Sequence, residues 1–181
     1  AFERAEHVVL LGDGPIALLF AQVARLRGAG RVLLVGRHPA RLAVAAALGA
    51  EPLEDPGGDA LVEAVRGWTG GTGADIVVEC VGRPEVWEAA PALAAVGGEV
   101  LLYGGCATGT RAGFDTYRVH YDEVDLKGAF HYGRADVRRA LDHLVRGEVR
   151  VEPLITHRRP LARLEEALGL ALSREAVKVA L

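Results

Sequence analysis

Methionine and asparagine are missing from this 181-residue chain, Gln22 is its single glutamine, and Lys127 and Lys178 are its only lysines. Without a methionine, Ala1 is not a translation start, and the expectation is a chain processed or cut from a longer one. Depletion of the thermolabile residues Asn, Gln and Met suits a thermophile. The two cysteines, Cys80 and Cys106, form no C-x-x-C pair, which excludes a zinc knuckle and a disulfide scaffold. A net charge of −3 with no basic face gives no electrostatic footprint for nucleic acid. No apolar run approaches the ~20 residues of a membrane span, and no charged-then-apolar leader opens the chain. Cytoplasm is the expected setting. What remains is 50% apolar and 25% charged, the balance of an ordinary globule holding one domain or one domain with part of another.

Against that background one stretch stands out. Gly12-Asp13-Gly14-Pro15-Ile16-Ala17 follows the apolar run His7-Val8-Val9-Leu10-Leu11 and precedes Ile16, Leu19, Phe20 and Val23 at helical spacing. Strand, glycine turn and helix form the context in which G-x-G-x-x-A reads as a dinucleotide-binding turn. Gly12 permits the tight turn, Gly14 lets a pyrophosphate approach the backbone, and Ala17 keeps the helix close to the strand. Pro15 fits a first helical position, where its missing N–H leaves no bond unmade. The free amides and positive dipole end of the helix then meet the phosphates.

The rest of the chain repeats the rhythm. Arg31–Val35, Glu51–Glu54, Asp75–Cys80, Gly98–Tyr103 and Asp125–Phe130 read as further strands. Helices are expected from Pro39 through Leu48, from Asp59 to Trp68 and from Pro84 to Ala95. Continuous apolar strands without alternation belong to a parallel sheet covered on both faces. Right-handed crossovers then give a doubly wound α/β fold of six strands in the order 3-2-1-4-5-6. Residues 105–124 break the rhythm and read as a functional or interface loop, with no clean period from Phe114 to Asp122. Beyond the sixth strand, Val137, Ala140, Leu141, Leu144 and Val145 mark one helix and Leu161, Leu164, Leu168 and Leu172 another. Val177–Leu181 reads as a terminal edge strand whose partner lies outside the chain.

The chain resembles the zinc-type medium-chain alcohol/polyol dehydrogenases, and among them the sorbitol/iditol and threonine dehydrogenase-like branch. The resemblance is carried by Gly12-Asp13-Gly14-Pro15-Ile16, Arg41-Leu42, Leu48-Gly49-Ala50, Gly73-Ala74-Asp75, Glu79-Cys80-Val81-Gly82, Gly97-Gly98, Lys127-Gly128 and Glu175-Ala176-Val177-Lys178, in that order and spacing. It implies an NAD(P)-binding Rossmann domain over residues 1–153 and, over 154–181, a helix and strand returning to a catalytic domain absent from this sequence. Catalytic zinc and its ligands would belong to that absent part, so no catalytic or metal-binding residue is assigned here. A small-molecule alcohol or polyol substrate and a homodimeric or homotetrameric parent, with sixth strands meeting edge to edge, are further implications. No nucleic-acid or membrane partner is expected.

The cofactor residues follow in part from position and in part from the resemblance. Where NAD-preferring enzymes carry an acidic residue after the second strand, family alignment places Gly36. Gly36 is expected to leave room there, and Arg37, His38 and Arg41 to offer cations to a 2′-phosphate. NADP is therefore expected over NAD, and Gly36→Asp is expected to reverse the preference. By resemblance Val81, Gly82 and Gly104 line the cofactor channel. Ala129, Phe130 and His131 match the stretch that holds the nicotinamide carboxamide, and Lys178 matches a basic residue reaching the pyrophosphate. His120, His131 and His157 show no metal-ligand spacing, and Cys80 reads as buried and inert. Asp115, Tyr117, Tyr121 and Asp122 are candidates for a polar cluster in the long loop. A methyltransferase is disfavoured by the missing acid at Gly36. A non-catalytic NAD(P)-sensing module is the alternative function.

Overall fold

Strands that must bury both faces carry apolar residues at every position, and β1 (His7–Leu11) and β2 (Arg31–Gly36) do so, with only the first residue of each outside the core. The computed structural model describes residues 2–173 and 175–181. It joins β1 and β2 with β3 (Glu51–Glu54), β4 (Ala74–Glu79), β5 (Ala94–Leu102) and β6 (Asp125–Gly128) in one sheet, in the order β3-β2-β1-β4-β5-β6. Every neighbouring pair is parallel; Leu10 lies opposite Leu34 on one side and Val78 on the other. The expected topology is the observed one. Val9, Leu11, Leu33, Val35 and Val77 gather with Leu61, Val65 and Leu93 in one core, while Val8, Leu10, Leu34 and Val78 are fully buried as well. Each such side chain contributes about 1.5–3 kcal/mol.

The crossovers are α1 (Pro15–Leu26), α2 (Pro39–Ala47), α3 (Gly58–Trp68), α4 (Pro84–Ala89) and α5 (Thr116–His120). Two of them depart from expectation. The buried face of α1 is Ala17, Leu18, Ala21, Gln22 and Ala24, with Ile16 exposed and Leu19, Phe20 and Val23 only half-buried. Small alanines let the helix lie close to the sheet, so the buried stripe is turned away from the larger residues. The helix after β4 stops at Ala89 and passes into a 3-10 turn, Ala90–Leu93, because Pro91 cannot continue an α-helical ladder. β5 accordingly starts at Ala94, earlier than Gly98.

The long segment before β6 is not structureless. Asp115 caps the short α5 by accepting from the Tyr117 amide at 2.8 Å. Arg118 donates to the carbonyls of Pro91 and Ala94 and pairs with Asp122, fastening α5 to the turn that precedes β5. The expected polar cluster does not form as one group: Asp115 serves as cap, Asp122 as ion-pair partner, and the Tyr117 and Tyr121 rings meet each other at 5.0 Å.

Contacts divide the chain into two compact units, the first running to Tyr132 and the second starting at Gly133. The second unit contains α6 (Arg134–Val145), β7 (Ile155–Arg158), α7 (Leu164–Leu172) and β8 (Lys178–Ala180). β8 is not an orphan. It pairs in parallel with β7, Ile155 opposite Lys178 and Arg158 opposite Ala180, so the partner expected outside the chain lies within it. A strand of four residues behind Pro153 escaped the sequence reading because its length gives no period to detect.

Candidate functional site: a crevice at the carboxyl ends of the strands

Open parallel sheets place ligands beyond the carboxyl ends of their strands, at the point where strand order reverses. Here that point lies between β1 and β4. The chain leaves β1 through Gly12, whose φ of +113° is a conformation reserved in practice for glycine. The Gly12 amide donates to the Val35 carbonyl at 2.8 Å and the Leu11 carbonyl accepts from Cys80 at 2.9 Å, so the turn is tied to the strands on both sides. Gly14 is the N-cap of α1, Pro15 is its first residue, and no side chain caps the helix. A Cβ built on Gly14 would meet nothing within 4 Å. The turn thus offers an uncapped positive helix end facing open space, with no acidic residue in the first turn to occupy it. A dinucleotide pyrophosphate fits these features.

On one flank, the β4–α4 loop and the loop after β5 touch through glycine backbones. Gly82 has a φ of +77°, and a Cβ there would stand 2.5 Å from the Gly105 carbonyl oxygen. A Cβ on Gly104 would press into the Gly82 amide and lie 2.6 Å from Glu79 Oε2. Glu79, fully buried at the end of β4, holds this junction by accepting from the amides of Val81 at 2.7 Å and Gly82 at 3.0 Å. Burial pushes its carboxyl pKa up, and the amides of Gly82 and Val81 offset this only in part. Trp87 Nε1 donates to the Gly104 carbonyl at 2.9 Å, locking the second loop from the helix side. Val81 is 43% exposed yet 3.1 Å from where a Gly12 Cβ would stand. It is therefore an apolar wall beside the glycine turn and not a core residue.

Past Gly104 the crevice opens into a cavity of about 780 Å³ lined by Leu102, Tyr103, Gly104, Cys106, Phe130 and His131 among others. Ala129 lies on its rim, Phe130 is 89% exposed, and His131 is held at a φ of +66°, unusual for a residue with a side chain. Cys80 beside the junction is half-buried; burial first and Glu79 second push its thiol far above the usual range, so it is no nucleophile. The Cys106 thiol in the cavity wall is raised too. Among the described residues no three His, Cys, Asp or Glu converge to hold a metal ion, and no helix is long and apolar enough to cross a membrane.

The other flank corrects the sequence reading. Gly36 does not leave room: a Cβ at this position would stand 2.5 Å from Asp13 Cβ and 2.7 Å from Asp13 Oδ2. A carboxylate does occupy the corner beyond β2, but it comes from the glycine turn. Asp13 Oδ2 accepts from the amides of Arg37 at 2.7 Å and His38 at 2.8 Å. The His38 ring, with its proton on Nδ1, adds a third bond at 2.8 Å, and Arg41 approaches Oδ1 at 3.4 Å. Burial alone would raise the Asp13 pKa; the bonds from the His38 ring and the two amides outweigh it and hold the carboxyl below its usual range. Arg37, expected to face a phosphate, pairs instead with Asp55 at 2.9 Å while remaining 63% exposed. Asp13, Asp55, Glu79 and Trp87 were missed as site residues. A carboxylate inside the fingerprint, and another closing an apolar strand run, were the available signals. Lys178 lies on β8 in the second compact unit.

Comparison with known proteins agrees with this geometry. The family model described as zinc-binding dehydrogenase matches residues 15–146. The chain belongs to the zinc-binding dehydrogenase family. Sorbitol dehydrogenase 1 of Saccharomyces cerevisiae is 34% identical over 157 residues, which cover 83% of this chain and 43% of that protein. L-threonine 3-dehydrogenase of Symbiobacterium thermophilum is 31% identical over 185 residues, covering 98% of this chain and 51% of the relative. A protein of Sinorhizobium meliloti 1021, solved bound to NADP, superposes with a TM-score of 0.78 at 33% identity over 84% of this chain and 45% of its own. The chain spans about half the length of the relatives it matches. The expected fold and family hold.

Proposed function

We propose that this chain is the nicotinamide-cofactor domain of a zinc-dependent dehydrogenase acting on a secondary alcohol or polyol, with NADP favoured over NAD. The observation that carries the reading is the open, uncapped α1 terminus at Gly14, flanked by Asp13–Arg41 on one side and by the Val81, Gly82 and Gly104 junction on the other. When bound, a nicotinamide dinucleotide would supply hydride-transfer chemistry. The chain's own residues bind and orient. Gly12, Gly14 and the first amides of α1 receive the pyrophosphate. Val81 and the Gly82–Gly104 junction direct the far half of the dinucleotide toward the cavity. Leu102, Phe130 and the backbone at Ala129 and His131 would offer the nicotinamide ring a largely apolar wall. Zinc and the proton relay would be supplied outside this chain.

NADP is favoured because Arg37, His38 and Arg41 follow within five residues of position 36, which itself carries no acidic side chain to repel a 2′-phosphate. The preference is moderated because Asp13 and Asp55 already engage those groups. A charge-assisted bond contributes about 1.5–3 kcal/mol, so the expected preference is about tenfold. Calorimetric titration of the 181-residue chain with NADPH and NADH at one salt concentration tests this. Binding of neither cofactor would refute the domain reading, and tighter NADH would refute the preference. With this reading we expect the parent in the cytoplasm of a thermophile as a homodimer or homotetramer joined along β6, one of the sheet's two edges.

A further inference from the structure

We infer that Asp13, the variable residue within the glycine turn, governs cofactor choice in this chain, and that Gly36 is glycine because Asp13 requires it. This rests on the crevice being a nicotinamide-dinucleotide site. In the usual arrangement a carboxylate on the residue ending the second strand receives the adenosine ribose. Here that strand end has no side chain, and the carboxylate rises from the neighbouring turn into the space a side chain at 36 would need, 2.5 Å from its Cβ. The contact is not with the far end of a flexible side chain. Asp13 Cβ is one bond from the backbone of a turn that is pinned to Val35 and Cys80 strand partners, so it cannot swing away without disturbing Gly12.

Three consequences meet at this carboxylate. It fixes the β2–α2 turn by taking the amides of Arg37 and His38, groups that would otherwise face an incoming ribose or phosphate. It holds the His38 ring and draws Arg41 toward itself, so a 2′-phosphate must share these groups with a negative charge already present. Finally, it excludes any side chain at 36. Charge at the ribose corner is therefore set at position 13, and a substitution at 36 acts through 13. Asp13 is a positioning and specificity-determining residue; it takes no part in the chemical step.

Two measurements on the 181-residue chain test this. The first is a coupling cycle between positions 13 and 36, read by cofactor affinity and by thermal midpoint without cofactor. Gly36→Asp alone should weaken both NADPH and NADH by about tenfold or more and lower the midpoint by several degrees, because the two side chains overlap. Asp13→Gly, which removes the Cβ in the way, combined with Gly36→Asp should restore NADH to within about threefold of the original chain, while NADPH stays weak. Gly36→Ala adds only the overlapping Cβ and keeps the test open should the aspartate variants not fold: it should lower the midpoint more in the Asp13 background than in Asp13→Gly, which lacks the Cβ it meets. Additive effects, or a clean switch to NADH by Gly36→Asp alone with an unchanged midpoint, would overturn the inference. The second measurement is the affinity ratio in Asp13→Asn, which keeps the side chain's size and removes its charge. NADPH should gain on NADH by about three- to tenfold, and an unchanged ratio would overturn the specificity role. If the original chain bound neither cofactor, the functional reading would fall, and the midpoint cycle would still decide the 13–36 coupling.

Discussion

Two buried carboxylates at the ends of adjacent central strands have opposite electrostatic settings, and the difference predicts opposite pH behaviour. Glu79 has a raised pKa from burial, so the folded chain holds its proton more tightly than the unfolded chain. Its contribution to stability falls as pH rises from the usual glutamate range through the raised value. Asp13 has a lowered pKa, so its contribution is present above the usual aspartate range and is lost as pH falls through the lowered value. Glu79→Gln keeps an acceptor for the amides of Val81 and Gly82 and removes the titration. Urea midpoints measured from about pH 4 to about pH 8 should show the variant gaining on the original chain as pH rises. Parallel curves would show that Glu79 is not desolvated in solution. At Gly104, alanine must push the Gly82 backbone away, with an expected cost of about 1–3 kcal/mol and a loss of cofactor affinity; unchanged stability would mean the two loops are not in contact. The turn glycines were legible in the sequence because the G-x-G-x-x-A spacing has a mechanism. Asp13 and Glu79 were not, because their importance lies in what the fold brings to them: amides from residues 37 and 38 for one, and a glycine from the next strand for the other.

At the scale of elements, the sheet was readable because its strands are buried on both faces and therefore unbroken in their apolar character, and because crossovers have one hand. The helices were read less well. The α1 stripe was assigned to the larger residues, although close packing on a sheet selects the small ones, Ala17, Ala21 and Ala24. The terminal strand was read, but its pairing was missed because β7 carries too few residues to show a period. The segment before β6 looked irregular because its order comes from a side chain reaching backbone carbonyls. Arg118→Ala should accordingly leave the carbonyls of Pro91 and Ala94 without these donors and destabilise the first unit by about 1–3 kcal/mol, with faster amide exchange in α5 and at the start of β5. A change below about 0.5 kcal/mol would show that water replaces the guanidinium without cost.

For the whole molecule, one crevice runs along the carboxyl ends of β2, β1, β4 and β5, built from the Asp13 corner, the Gly12–Gly14 turn and the Gly82–Gly104 junction, and we propose that it receives a nicotinamide dinucleotide. In the intact parent, sedimentation at several concentrations should give a dimer or tetramer, since β6 leaves an open sheet edge; a monomer throughout would contradict the proposed assembly. The crevice itself is built within the first compact unit. The most direct test is amide hydrogen exchange of the 181-residue chain with and without saturating NADPH. Slowed exchange is expected in four stretches, residues 12–18, 36–41, 79–82 and 103–106, with little change across β3 and α3. Protection confined to other segments, or none in these four while the cofactor is bound, would contradict a dinucleotide in this crevice.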